Sequence, residues 1–86
     1  MSAFKSEVEI RGQTLGYCVT QALENYFREL GGHDACDLYQ LVLTEVEKPM
    51  LQSVMNYVDG NQTRAANLLG ISRGTLRKKL SLYGLD

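Results

Sequence analysis

The sequence predicts an all-α protein of four helices, with a short arm before the first helix and a helix-turn-helix at the carboxyl end. Two observations support this prediction. Apolar residues recur at spacings of three and four from Leu15 onward, which is the period of one helix face. Glycines interrupt this pattern, whereas the 86 residues include a single proline. A chain of this length forms one domain with a small core, so we expect a partner subunit to add stability.

Composition excludes several classes of protein. Hydrophobic residues make up 44% of the chain and charged residues 22%, which is typical of a folded domain and not of a disordered one. No apolar run is long enough to span a membrane. The first five residues lack the apolar core of a secretory signal. The sequence therefore predicts a cytoplasmic protein without a membrane partner.

Residues 1–14 are expected to form an arm. Between positions 6 and 11 polar and apolar side chains alternate, with Val8 and Ile10 as the apolar members, which is a weak strand signal. No neighbouring segment offers a clear hairpin partner. We therefore expect a mobile or β-like arm.

The first helix is expected over Leu15–Leu30, where one apolar stripe runs along the segment. The pair Gly31 and Gly32 then supplies a stop, because glycine tolerates the left-handed conformation that ends many helices. Its apolar stripe requires a surface to pack against.

The second helix is expected over about Asp37–Val58, with Asp34 as a candidate N-cap. Its apolar residues form two rows, so the helix must bury two sides. One row can pack on the first helix, and the other requires a second subunit. Pro49 lies inside the helix and predicts a kink rather than a break. The two rows comprise Leu38, Val42, Val46, Met50, Val54 and Val58, and Tyr39, Leu43, Leu51 and Met55.

The last quarter of the chain has the pattern of a helix-turn-helix. Asn61 can cap a third helix over Gln62–Leu69, and Ser72 can cap a fourth helix over Arg73–Leu82. Gly70 supplies the positive φ that the turn requires. Small residues in the third helix allow the two helices to cross closely, and apolar residues join them. These are Ala65, Ala66, Leu69, Ile71, Leu76 and Leu80.

Charge is divided unevenly along the chain. Residues 1–59 contain four basic and nine acidic residues, a net charge of −5, whereas residues 60–86 contain five basic residues and one acidic residue, a net charge of +4. A basic end on an acidic body is typical of a protein that binds a polyanion through that end.

A helical wheel of the fourth helix separates its apolar side from its cations. Long cations, a hydroxyl group and a glycine that permits close approach are the groups that hold phosphates and contact guanine edges. Arg73 begins the helix, where recognition helices usually place base-contacting residues. The sequence thus predicts double-stranded DNA as a partner, with these candidate residues: Asn61, Thr63, Arg64, Arg73, Thr75, Arg77, Lys78 and Lys79.

Three segments of the chain resemble those of a known family and occur in the same order as in that family. They are QALENYF at Gln21–Phe27, DLYQLVLTEVEKPML at Asp37–Leu51 and GNQTRAANLLGISRGTLRKKL at Gly60–Leu80. On these segments the chain resembles the Fis family of bacterial nucleoid-associated DNA-bending proteins, over roughly Leu15–Asp86. The last segment alone is also similar to the C-terminal domains of sigma-54-dependent activators.

The resemblance implies a homodimer in which the first two helices, within residues 15–59, interlock with those of a second copy. Residues 60–86 would form the DNA-binding region, with each fourth helix in a major groove. The recognition helices would lie too close together for straight DNA, so the duplex would bend, which favours A·T-rich centres. Arg73 would contact a base, and the other candidates would hold phosphates or groove edges. The implied roles are transcription regulation and recombination, with RNA polymerase and a site-specific DNA invertase as further partners.

The chain departs from the family pattern at several positions. Ser72 lies where asparagine is common and is added to the candidate DNA-binding residues on this resemblance. Asp59 lies where the family often has a basic residue in the loop that touches RNA polymerase. The arm is short where the family has a β-hairpin that stimulates invertases.

Two alternative functions stay open at this point. The chain could be the C-terminal DNA-binding and dimerisation domain of a sigma-54-dependent activator, or a helical dimer that binds protein and has no affinity for DNA. Catalysis is not expected, because the sequence has no nucleophile motif and no phosphate-binding glycine loop. We also expect neither a metal nor another cofactor, since His33 and Cys36 form the single local pair with metal-ligand spacing.

Overall fold

The computed structural model describes residues 9–10 and 12–86. It confirms the four-helix, helix-turn-helix architecture. Each helix begins and ends within one residue of the position predicted for it. The chain divides into two compact units, residues 1–36 and 37–86. In chain order the elements are β1 (Glu9–Ile10), β2 (Gln13–Thr14), α1 (Leu15–Leu30), α2 (Leu38–Tyr57), α3 (Gln62–Leu69) and α4 (Arg73–Leu82).

A small antiparallel hairpin precedes α1. Ile10 pairs with Gln13 and Glu9 pairs with Thr14. Gly12 lies in the turn with a φ of 80°. The expectation that the arm has no hairpin partner is therefore wrong, because the partner is the dipeptide that immediately follows the turn. Two-residue strands are too short to show alternation. The predicted mobility of residues 1–8 lies outside the described residues.

The helix α1 has the predicted bounds. The Thr14 hydroxyl accepts a hydrogen bond from the Tyr17 N–H at 3.0 Å and caps the amino end. At the other end Gly31 takes the left-handed conformation, with a φ of 60°, and its N–H donates to the Arg28 carbonyl. No residue of α1 is buried, and Phe27 is 49% exposed. The apolar stripe of α1 is therefore available for further packing.

The helix α2 continues through Pro49, which confirms that proline does not break it. Its N-cap is Asp37 and not Asp34 as expected. The Asp37 carbonyl accepts the first helical bond, from the Leu41 N–H at 3.0 Å, so the helix starts three residues later than an Asp34 cap would place it. Asp37 has a φ of 54°, a left-handed conformation that aspartate tolerates better than most residues.

One apolar core organises the second unit. Ala65 and Ala66 are buried where α3 meets its neighbours, which confirms the role predicted for small residues in the helix crossing. Gly70, with a φ of 74°, ends α3, and its N–H donates to the Ala66 carbonyl at 2.9 Å. The buried members of this core are Leu51, Val58, Ala65, Ala66, Leu76 and Leu80.

Two glycines of the helix-turn-helix are expected to respond oppositely to alanine. Gly70→Ala should destabilise the fold by about 1–2 kcal/mol, because an L side chain is strained at its left-handed φ although nothing crowds the added carbon. Gly74→Ala should stabilise α4 by up to about 1 kcal/mol, because Gly74 lies in the helix and an added carbon would meet the Ser72 hydroxyl oxygen at an ordinary contact distance of 4.0 Å. Urea denaturation of both variants tests this pair. An equal change of the two midpoints would contradict the geometry of the turn.

Candidate nucleic-acid interface

The amino end of α4 is held by a reciprocal cap. The Ser72 hydroxyl accepts a hydrogen bond from the Thr75 N–H at 3.0 Å and donates one to the Thr75 hydroxyl at 2.9 Å. Ser72 is thus occupied in capping the first turn of α4. Its position at the start of the helix agrees with the sequence prediction, and its hydroxyl already has two partners.

Three of the predicted cations lie together on the outer face of α4. Arg73, Arg77 and Lys78 are all exposed and line one open groove with Gly74. Among the described residues, none of the three cations has an ion-pair partner. Groups that bind a polyanion must be free to do so, and this groove offers three such charges on one helix face.

A further predicted cation, Arg64, lies at the amino end of α3. The Asn61 side-chain oxygen accepts a hydrogen bond from the Arg64 N–H at 3.1 Å and caps the helix. The Arg64 guanidinium lies over the Tyr57 ring, 5.5 Å from its centroid. Thr63 is exposed beside them. Tyr57 therefore orients Arg64.

Sequence reasoning missed Tyr57 as part of this surface. Its ring is 71% exposed, and it belongs to neither apolar row of α2. A large aromatic residue outside the apolar rows, next to a helix-turn-helix, was the available signal.

Lys79 differs from the other predicted cations. Its Nζ lies 2.9 Å from Glu47 Oε2 and 3.2 Å from Glu47 Oε1, so α4 is joined to α2. The Tyr83 hydroxyl donates to the same Oε1 at 2.5 Å. The exposed fraction of the side chain is 32% for Lys79 and 13% for Glu47. The structure thus leaves eight of the nine candidates exposed and draws Lys79 toward the helix interface.

Glu47 is the second residue that sequence reasoning missed. It occupies the vacant position in the apolar row of Tyr39, Leu43, Leu51 and Met55, one turn from each neighbour. A carboxylate in an otherwise apolar row faces the protein interior, where it requires a hydrogen-bond donor or a cation as partner. That interruption was the signal from which Glu47 could have been found.

The three groups shift one another's protonation. The Tyr83 hydroxyl and the Lys79 ammonium donate to Glu47, which lowers the pKa of the carboxyl group below its ordinary value. The same carboxylate raises the pKa of Lys79 and the pKa of Tyr83. Neutral Tyr83, charged Lys79 and ionised Glu47 are therefore the favoured forms near pH 7.

Stability should depend on Glu47 ionisation in acid. The folded pKa lies below the ordinary value of 4.5, so the contribution is complete above that pH and is lost as pH falls through the folded pKa. Glu47→Gln should lower the urea midpoint at pH 7 and show a flatter decline below about pH 4.5. Glu45→Gln, on the exposed side of α2, should leave the midpoint at pH 7 unchanged. A decline in acid as steep as that of the unmodified protein would contradict this role of Glu47.

Two other kinds of feature are absent from residues 9–10 and 12–86. No helix in this part of the chain combines the length and apolar character needed to cross a membrane. Nor do three or more histidine, cysteine, aspartate or glutamate side chains of the same residues come together in a way that could hold a metal ion.

Comparison with known proteins gives full-length similarity. Residues 42–83 match the family model described as bacterial regulatory protein, Fis family, and residues 2–35 match that described as DNA-binding protein Fis N-terminal domain. A relative named DNA-binding protein Fis from Actinobacillus succinogenes is 56% identical over 86 residues, which cover 100% of this chain and 87% of the relative. Relatives of the same name from Pectobacterium carotovorum and Haemophilus influenzae are each 54% identical and are covered over 88% and 86% of their lengths.

Proposed function

The chain belongs to the Fis family of bacterial regulatory proteins, and from this membership we propose that it is a nucleoid-associated, DNA-binding transcriptional regulator. In this proposal a homodimer binds and bends double-stranded DNA in the cytoplasm, with a weak preference for A·T-rich sequences. The names of the family and of the relatives describe DNA-binding proteins and not enzymes.

The observation that carries the proposal is the unpaired basic face of α4. Arg73, Arg77 and Lys78 line one groove and have no ion-pair partner within the described part of the chain. Gly74 leaves the backbone bare between them, so a duplex can approach closely. Cations with this freedom release counterions when they meet phosphates, which drives binding to DNA.

Roles for single residues follow from their positions. Arg73, the first residue of α4, is proposed to contact a base edge in the major groove. Asn61 and Ser72, which cap α3 and α4, are proposed to lie beside phosphates at the amino ends of those helices. The remaining proposed phosphate or groove contacts are Thr63, Arg64, Thr75, Arg77 and Lys78.

Exposed apolar side chains support the homodimer. No residue of α1 is buried and Leu51 is the one buried residue of α2. Tyr39 is 74% exposed, and Leu41 and Met50 are 43% and 42% exposed. Apolar surface of this kind normally marks a protein interface. We therefore propose residues 15–59 as the dimerisation region and residues 60–86 as the DNA-binding region.

Bending follows from the family resemblance together with the energetics of DNA. Two recognition helices closer than one helical turn of straight DNA can both enter major grooves only if the duplex curves, and curvature costs less at deformable A·T-rich centres. RNA polymerase would be met at the loop of Asp59, which has a φ of 52°. A DNA invertase would be met at the arm, and this contact would make the protein an enhancer-binding factor in recombination.

The comparisons favour this proposal over a C-terminal domain of a sigma-54-dependent activator. Resemblance to those activators was expected for the last segment alone. Residues 2–35 instead match the model described as DNA-binding protein Fis N-terminal domain. The remaining alternative is a dimer that binds only protein. The salt dependence of DNA binding distinguishes it from the proposed function.

Binding to a duplex of about three helical turns with an A·T-rich centre, titrated with salt, tests the proposal. Three to four cations from each of two subunits predict a slope of log K against log salt of roughly −5 to −7. A discrete shifted complex should form, and a G·C-centred duplex of equal length should bind less tightly. Absence of binding at low salt would refute the proposal and favour the protein-binding dimer.

A further inference from the structure

Three polar side chains meet on the inner side of α4, away from the groove that holds Arg73. Glu47 of α2 accepts hydrogen bonds from Lys79 and from the Tyr83 hydroxyl, with donor–acceptor distances of 3.2 and 2.5 Å to Oε1. Its other oxygen lies 2.9 Å from the Lys79 ammonium. Both carboxylate oxygens are therefore occupied.

This cluster adjoins the apolar core. Glu47 lies one turn before Leu51, which is 1% exposed, and Lys79 is adjacent to Leu80, which is fully buried. Burial of leucines is non-directional, so it fixes the distance between α2 and α4 better than the rotation of α4. Hydrogen bonds and ion pairs depend on direction. The bonds to Glu47 therefore set the rotation of α4 at its carboxyl end.

Release of Lys79 toward DNA would carry a penalty. Among the described residues, the Glu47 carboxylate, 13% exposed, would keep Tyr83 alone as a partner, and an under-bonded charge at such a site is unfavourable. Arg77 and Lys78 have no such attachment in the described chain and can bind phosphate without breaking a contact. Binding of a phosphate by Lys79 is therefore less favourable than binding by its neighbour Lys78.

We propose that Lys79 stays bound to Glu47 when the protein is on DNA, so that the Glu47–Lys79–Tyr83 cluster positions the recognition helix and Lys79 is not a phosphate ligand. This inference rests on the proposed DNA-binding function. It assigns Glu47 and Lys79 as positioning residues, and it separates Lys79 from the adjacent Lys78.

Salt dependence of DNA binding distinguishes the two lysines. Lys78→Gln should reduce the slope of log K against log salt by about 0.9 per subunit, or nearly 2 for a dimer, because one phosphate contact is lost from each. Lys79→Gln should lower the affinity at every salt concentration several-fold and leave the slope unchanged. A slope reduced as much by Lys79→Gln as by Lys78→Gln would overturn the proposal.

A second measurement does not depend on DNA. The melting temperatures of Glu47→Gln, Lys79→Gln and the double variant form a cycle, and we expect the double variant to lose less than the two single losses together. Additive losses would overturn the positioning cluster. Tyr83→Phe, which removes one hydrogen bond, replaces Glu47→Gln in the cycle if that variant does not fold. Failure of the unmodified protein to bind DNA would refute the proposed function, whereas additivity alone would refute only the cluster.

Discussion

Arg73→Ala is expected to weaken binding to a preferred DNA site by about 1–3 kcal/mol and to flatten the preference among sequences. Arg73 is the first residue of α4, is exposed and lines the basic groove. An arginine in this position can form two hydrogen bonds to a guanine edge, and alanine forms none. Competition binding with several duplexes of equal length measures both effects.

Lys78→Ala is the matched control for this prediction. Lys78 lies in the same groove, and its removal should weaken binding to all duplexes alike because a phosphate carries no sequence information. Normal binding of Arg73→Ala to every duplex would show that α4 is not the recognition helix.

Leu76→Ala is expected to reduce the free energy of unfolding by about 2–5 kcal/mol. Leu76 is fully buried in the core of the second unit, on the side of α4 opposite the groove. The lost contacts and the remaining cavity both contribute, and a domain of this size has little stability in reserve. Urea denaturation followed by circular dichroism measures the change.

Leu82→Ala provides the comparison within the same helix. Leu82 is 70% exposed, so its truncation should alter stability by less than about 0.5 kcal/mol. Similar losses in the two variants would contradict the assignment of the inner face of α4. If Leu76→Ala does not fold, Leu76→Met, which preserves volume, should cost less than about 1.5 kcal/mol and keep the test available.

Local rules predicted much of the fold. Gly31 ends α1, and Asn61 and Ser72 cap α3 and α4, because each of these residues acts on backbone groups within a few positions of itself. The outer face of α4 was also predictable, since a helical wheel follows from the rise and turn of the helix alone.

The features that sequence analysis missed depend on tertiary contacts or on very short elements. Glu47 and Lys79 are 32 positions apart, and no periodicity relates an acid in one helix to a base in another. The Arg64 guanidinium lies over the Tyr57 ring only because α3 folds back toward the end of α2. The hairpin contains two residues per strand, too few for a pattern. The N-cap of α2 is Asp37, whose left-handed backbone conformation the sequence pattern did not indicate.

The core described for the second unit has a consequence for modularity. Two of its six buried residues precede α3: Leu51 lies in α2, and Val58 is the residue that caps the carboxyl end of α2. The change in charge and the proposed DNA contacts, in contrast, begin after Asp59. The segment that would contact DNA therefore does not contain its whole hydrophobic core. A fragment that begins at residue 60 would lack Leu51 and Val58, against which α3 and α4 pack. We therefore expect the helix-turn-helix to fold on another scaffold only if residues 51–58 are transferred with it.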